Sequence, residues 1–215
     1  MAIIVCPQPR AAEIGLDVMR RGGNAVDAAV TCAFVQGVID PQMCGIGGCG
    51  VMLVHSPQAG DALFEFYGTA GSGVREDQWE RIFIREAADR YGYVLDGWVN
   101  DVGYQSVAVP GTVAGLHEAL TRFGTISWEE AIEPAIPLAR QGFPVTGYMH
   151  GYWTTDYGPD VVPNASESKP RRRRRRSTRM TAACMRLARS WCRLTSPGLS
   201  SGSPARGRTF SIAGR

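Results

Sequence analysis

The chain is predicted to fold as an α/β protein of the α+β kind, a sandwich that contains antiparallel strands. Three observations predict it. Strand-like and helix-like patterns are mixed along the chain; two strand-like runs, residues 50–56 and 62–68, are separated only by the turn formers of "PQAGD"; and the helical stretch at 25–38 is apolar on almost every face. A doubly wound parallel sheet would need crossover helices where this sequence offers a short turn.

The elements follow in order. Residues 2–5, "AIIV", are β-branched and closed by Pro7 and Pro9, as a buried strand would be. In "RAAEIGLDVMRRGG", Ile14, Val18 and Met19 stand with Ala11 at helical spacing, and Arg20, Arg21, Gly22 and Gly23 supply basic residues at the negative end of the dipole and a left-handed stop. The next helix opens with Asn24 as N-cap and Asp27 as the capping-box acid, and Pro41 ends it. Its nearly uniform apolar surface requires cover on most sides.

The stretch "PQMCGIGGCGVMLV" follows, and then the hairpin. Residues 74–91 read as an amphipathic helix with Trp79, Ile82, Phe83, Ala87 and Tyr91 on one side and Gly92 as its stop. "SVAVPGTVAGLHEALTRFG" reads as an extended piece, with Pro110 at the start of a helix that ends at Gly124. "SWEEAIEPAIPLARQGFP" begins with a second capping box, Ser127 and Glu130, and must kink or split at Pro134 and Pro137.

Composition sets outer limits. With 44% hydrophobic residues the chain can build a core. Its six cysteines are too sparse for a disulfide scaffold and are expected to be free, mostly buried thiols. Apolar stretches are broken at Asp27, Asp40 and Pro41, and "MAIIVCPQPRAAEIG" lacks a basic leader region, so a cytoplasmic protein without a membrane partner is expected. The net charge of +3 hides two unlike parts. Up to Ala165 there are 9 arginines against 19 acids, whereas from Ser166 on 14 basic residues face Glu167 alone. A domain at 1–165 and a basic low-complexity tail at 166–215, disordered by composition, are expected.

The glycines at 45–50 do not form a phosphate cradle, because they follow a helix and precede a strand, the reverse of the required order. Cys44 and Cys49 have the wrong spacing for a zinc knuckle. No cofactor or metal is expected. Cys44 or Cys49 with His55 could act as a thiol nucleophile, but no orienting group is evident. The stronger reading is close backbone approach, glycines letting a strand lie against a helix with no side chain between them.

"AAEIGLDVMRRGGNAVDAAVTCAFVQGVIDPQMCGIGGCGVMLV" resembles the opening of the γ-glutamyltransferase family. "SVAVPGTVAGLHEALTRFGTISWEEAIEPAIPLARQGFPV" is similar to a second block of the same family's large subunit. The resemblance implies the N-terminal part of an αββα sandwich of the N-terminal nucleophile hydrolase kind. In that family a precursor cuts itself, and the freed threonine of the small subunit serves as nucleophile and base. The expected substrates are small γ-glutamyl or related amides, and the small subunit is the expected partner.

Two departures accompany the resemblance. The family's cleavage threonine lies beyond the region that aligns with 1–165, and Thr178, Thr181, Thr195 and Thr209 stand in a different, Arg-rich context. No catalytic residue is therefore assigned, and the chain is expected to be inactive alone. The second concerns substrate binding. Where the family carries an Arg-Glu pair followed by Ala-Pro, whose Arg grips the substrate α-carboxylate, this chain reads "FEFYGTAGSG". Tyr67 takes the place of the Arg, Gly68 that of the Glu, Ala70 matches and Gly71 replaces Pro. Ordinary packing of Tyr67 at a strand end is the alternative.

Arg171 to Arg176 invite a nucleic-acid reading, but no aromatic platform is interleaved and the run reads as a solvated tail. Arginine outnumbers lysine 22 to 1, which fits a GC-rich reading frame lost near residue 165, with a native basic tail as the other source. A non-catalytic module whose tail contacts an acidic partner is the alternative function.

Overall fold

The computed structural model describes residues 2–88, 90, 92–155 and 209–211. The proposed boundary near 165 and the arginine run lie outside the described residues. The chain divides into two compact units, Met1–Gly68 with Pro110–Pro144 and Arg174–Arg215, and Thr69–Val109 with Val145–Arg173.

In the larger unit α1 (Pro9–Arg20) leads into α2 (Ala25–Ile39). The capping box of α2 is present as read from sequence: the Asn24 side chain accepts from the backbone N–H of Val26 and Asp27, and the Asp27 carboxylate accepts from Asn24 N–H at 2.7 Å. Along α2, Val26, Val30, Phe34, Val35 and Val38 are all buried, because α1 covers one side, α3 (Thr112–Phe123), α4 (Trp128–Ile132) and α5 (Ala135–Gln141) cover others, and the hairpin joins the same core. Phe34 meets Trp128 edge-on at 5.1 Å between ring centres. A fully buried phenylalanine of this kind contributes about 2–3 kcal/mol by removal of apolar area from water.

The hairpin forms as predicted, β1 (Gly50–Ser56) antiparallel to β2 (Gly60–Phe66), with Leu53 opposite Leu63. Its pleat sorts the side chains: Val54, Ala62, Phe64 and Phe66 are buried against the helices, while Val51 and Leu53 on the other face are exposed. β5 (Thr209–Ser211) adds parallel to β2, so β1 is an edge strand among the described residues. One helical layer and one sheet of the expected α+β sandwich are thus present. No helix of the described residues is long and apolar enough to cross a membrane.

The smaller unit holds a second hairpin, β3 (Phe83–Glu86) with β4 (Tyr93–Leu95), and α6 (Gly147–Thr154), capped by Thr146. This corrects the helix predicted over 74–91. Phe83 and Ile84 are exposed, so the apolar stripe a helix would present has no core to bury it. The β-branched and aromatic residues pair instead, with Phe83 edge-on to Tyr93 at 5.6 Å.

Two further expectations are corrected. Residues 2–5 are not a strand: they have no strand partner among the described residues, and Ile3, Ile4 and Val5 line a cavity beside α2. Pro110 lies outside α3, whose N-cap is Gly111. The predicted break in the last helix is present, since α4 ends at Ile132 and Pro134 caps α5.

Candidate functional site

The glycine-rich turn between α2 and β1 is where three elements of the larger unit converge. α2 ends at a buried acid, Asp40, whose carboxylate accepts from Gln8 Nε2 at 2.9 Å and from Gln42 Nε2. The turn closes with Gly48 N–H donating to Gly45 O at 3.0 Å. The Gly48 carbonyl then accepts from Gly111 N–H at 3.1 Å and Thr112 N–H at 3.3 Å. Gly111 has no side chain with which to cap α3, so the turn's carbonyl satisfies donors at the start of that helix.

The glycines serve close approach, as expected. A Cβ at Gly37 of α2 would lie 3.1 Å from Gly45 Cα, and one at Gly50 would lie 2.8 Å from the Phe66 ring. On α3, a Cβ at Gly111 would stand 2.3 Å from Phe66 O and one at Gly115 would stand 2.1 Å from Phe66 Cδ1. The end of β2 is therefore pressed directly onto α3. Beside this junction is a mostly apolar cavity of about 730 Å³, within the usual size of small-molecule sites. Ile4, Cys6, Cys32, Cys44, Met52 and Phe66 are among its walls.

Tyr67 follows Phe66 at the mouth of β2. It lies just past the end of the strand and is 64% exposed. The thiol nucleophile reading is not supported by the geometry. His55 Nδ1 contacts Asp61 Oδ1 at 2.5 Å across the hairpin, and six residues of extended strand place it about 20 Å from Cys49. Burial pushes the Cys44 thiol up to about 11, reinforced by the Asp40 charge, and burial pushes Cys32 up to about 11 as well. Such thiols are protonated at neutral pH. Among the described residues no group of three or more His, Cys, Asp or Glu side chains could hold a metal.

Asp27 has a larger role than the capping box read from sequence. Its carboxylate also accepts from Thr125 N–H at 2.8 Å, Thr125 Oγ1 at 2.6 Å and Ile126 N–H at 3.3 Å, tying the start of α2 to the loop after α3. Partners 98 residues apart leave no local signal in a sequence. The buried Gln8–Asp40 contact and the cavity were likewise invisible to pattern reading.

Residues 11–163 match the γ-glutamyltranspeptidase family. The chain is 37% identical to the glutathione hydrolase proenzyme of Bacillus subtilis over 148 residues, 68% of this chain and 24% of that protein. It is 36% identical to the acylase ACY 1 proenzyme of a Pseudomonas species over 162 residues, 74% of this chain and 28% of that protein. Its fold is similar to the crystal structure of Helicobacter pylori γ-glutamyltranspeptidase, with a TM-score of 0.61 and 28% identity over 71% of this chain and 41% of that one. The chain spans about a quarter of the length of the two curated relatives.

Proposed function

The chain belongs to the γ-glutamyltranspeptidase family, and from that premise we propose that it supplies the N-terminal part of an enzyme that transfers or hydrolyses γ-glutamyl or related acyl groups of small, glutathione-type amides. The observation that carries the reading is the continuous family match over residues 11–163, which takes in the glycine turn, the hairpin and the helices packed on them. The attacking threonine belongs to a segment outside residues 1–165, contributed by a small subunit. In such an enzyme the residues described here position the substrate side of the sandwich, and the acyl transfer takes place on the other chain's nucleophile.

The 215-residue chain expressed alone is expected to release no chromophore from a γ-glutamyl anilide and to show no self-cleavage on a denaturing gel. Either activity would overturn the assignment of the nucleophile to another segment.

Tyr67 bears on which acyl donor is used. A guanidinium holds a carboxylate through two parallel charge-assisted bonds, and a phenol offers one neutral donor. The similarity to an acylase supports a donor other than a γ-glutamyl group. Grafting "FEFYGTAGSG" into a complete relative is expected to lower kcat/KM for a γ-glutamyl anilide about 100-fold, since the lost pair of bonds is worth roughly 3 kcal/mol. Restoring arginine at the tyrosine position should recover most of it. Unchanged kcat/KM in the graft would mean that Tyr67 is only a packed strand-end residue.

A further inference from the structure

Three thiols approach the apolar cavity from different elements: Cys6 before α1, Cys32 on α2 and Cys44 on the turn after α2. Two of them are anchored on the last turn of α2. Cys6 Sγ donates to Gln36 Oε1 at 2.6 Å, Cys44 Sγ donates to Asp40 O at 3.5 Å, and Asp40 N–H itself donates to Gln36 O at 2.7 Å, so the two thiols are held at neighbouring points of one helical turn. Cys32 is placed differently. Its thiol donates to Ala11 O at 3.1 Å and occupies the space that a Cβ on Gly15 would need, wedged between α1 and α2.

A disulfide requires its two Cβ atoms to come within about 3.5–4.5 Å. Residues 2–6 form neither helix nor strand, so Cys6 can make that movement without breaking a ladder. Cys44 is on a turn and is also only half-buried. Cys49 is exposed.

We propose that Cys6 and Cys44 form a reversible disulfide when the protein meets a peroxide, clamping the segment before α1 to the turn after α2 along the wall of the cavity. Hydrogen peroxide transfers one oxygen to the Cys6 sulfur, giving a sulfenic acid and one water. The Cys44 thiol loses its proton and attacks that sulfur, the S–S bond forms, the S–O bond breaks and a second water leaves. Two thiols and one peroxide give one disulfide and two waters. Because burial keeps Cys44 protonated, the second step is slow at neutral pH and faster in alkaline buffer.

The test uses the full chain, reduced, treated with hydrogen peroxide, digested with trypsin without reductant and read by mass spectrometry. Tryptic peptide 1–10 contains Cys6, and 22–75 contains Cys32, Cys44 and Cys49. A linked 1–10/22–75 pair is expected, reversed by dithiothreitol, abolished by Cys6→Ser and Cys44→Ser, and retained in Cys32→Ser and Cys49→Ser. Fragmentation of the linked pair from the unsubstituted chain assigns the sulfur directly, so the result does not depend on how the variants fold. Peptide 1–10 found only as a free or singly oxidised thiol, or linked through Cys32, Cys49, Cys184 or Cys192, would overturn the proposal.

Discussion

Asp27→Ala is expected to destabilise the larger unit by about 4 kcal/mol, the cost of breaking a buried hydrogen-bonded charge network. Asp27 is 0% exposed, and its carboxylate takes the N–H groups of Asn24, Thr125 and Ile126 and the hydroxyl of Thr125. Alanine would leave those four donors without the carboxylate that satisfies them. Domains of this size are stable by only about 5–15 kcal/mol, so the change removes a large share. Urea unfolding followed by circular dichroism measures it, and a midpoint equal to that of the parent would refute the network's role.

The same carboxylate gives a pH dependence. Burial pushes the Asp27 carboxyl up, but the Thr125 side chain and the backbone donors of Asn24, Thr125 and Ile126 together outweigh burial and hold it below its ordinary value. A carboxyl lowered on folding stabilises fully above its unfolded value, about 3.9, and loses that contribution as pH falls through the folded value. Acid unfolding below about pH 4 should therefore contain a component that Asp27→Asn removes. An identical acid limb in parent and variant would count against it.

The second large effect is expected at the junction of β2 and α3. Gly111→Ala forces a Cβ to within 2.3 Å of the Phe66 carbonyl oxygen, a backbone atom that cannot rotate away. Gly115→Ala forces one to 2.1 Å from the ring of the same residue, which is itself buried. Overpacking of this kind costs about 3 kcal/mol, and here it also separates the Gly48 carbonyl from the start of α3. Gly47→Ala is the control, because nothing lies within 4 Å of a Cβ there. Thermal melts should show large losses for the first two and almost none for the third. Equal behaviour of all three would mean that glycine in this region serves chain flexibility and not contact.

Much of this fold was legible in the sequence because the signals were local. Asn24 with Asp27 and Ser127 with Glu130 announce helix starts through bonds made within three residues. "PQAGD" between two alternating runs closes a hairpin that needs no distant partner to set its register. The apolar surface of α2 announced that it would be covered, without saying by what. Blocks such as "GGNAVDAAV" and "VAVPG" carried the family resemblance for the same reason, as contiguous strings.

Tertiary structure decided everything that depended on a second segment. "AIIV" has strand propensity, but a strand exists only where another strand offers its N–H and C=O groups, and none of the described residues does so there. Residues 74–91 have a helical stripe, but stripe and strand compete, and an exposed surface removed the burial that would have favoured the helix. The meaning of the glycines was readable as close approach, whereas their counterpart, Phe66, was not. Asp27 could be named as a cap from its spacing. That it also holds a loop 98 residues away could be seen only once the chain was folded, because a hydrogen bond depends on distance in space and the sequence records only distance along the chain.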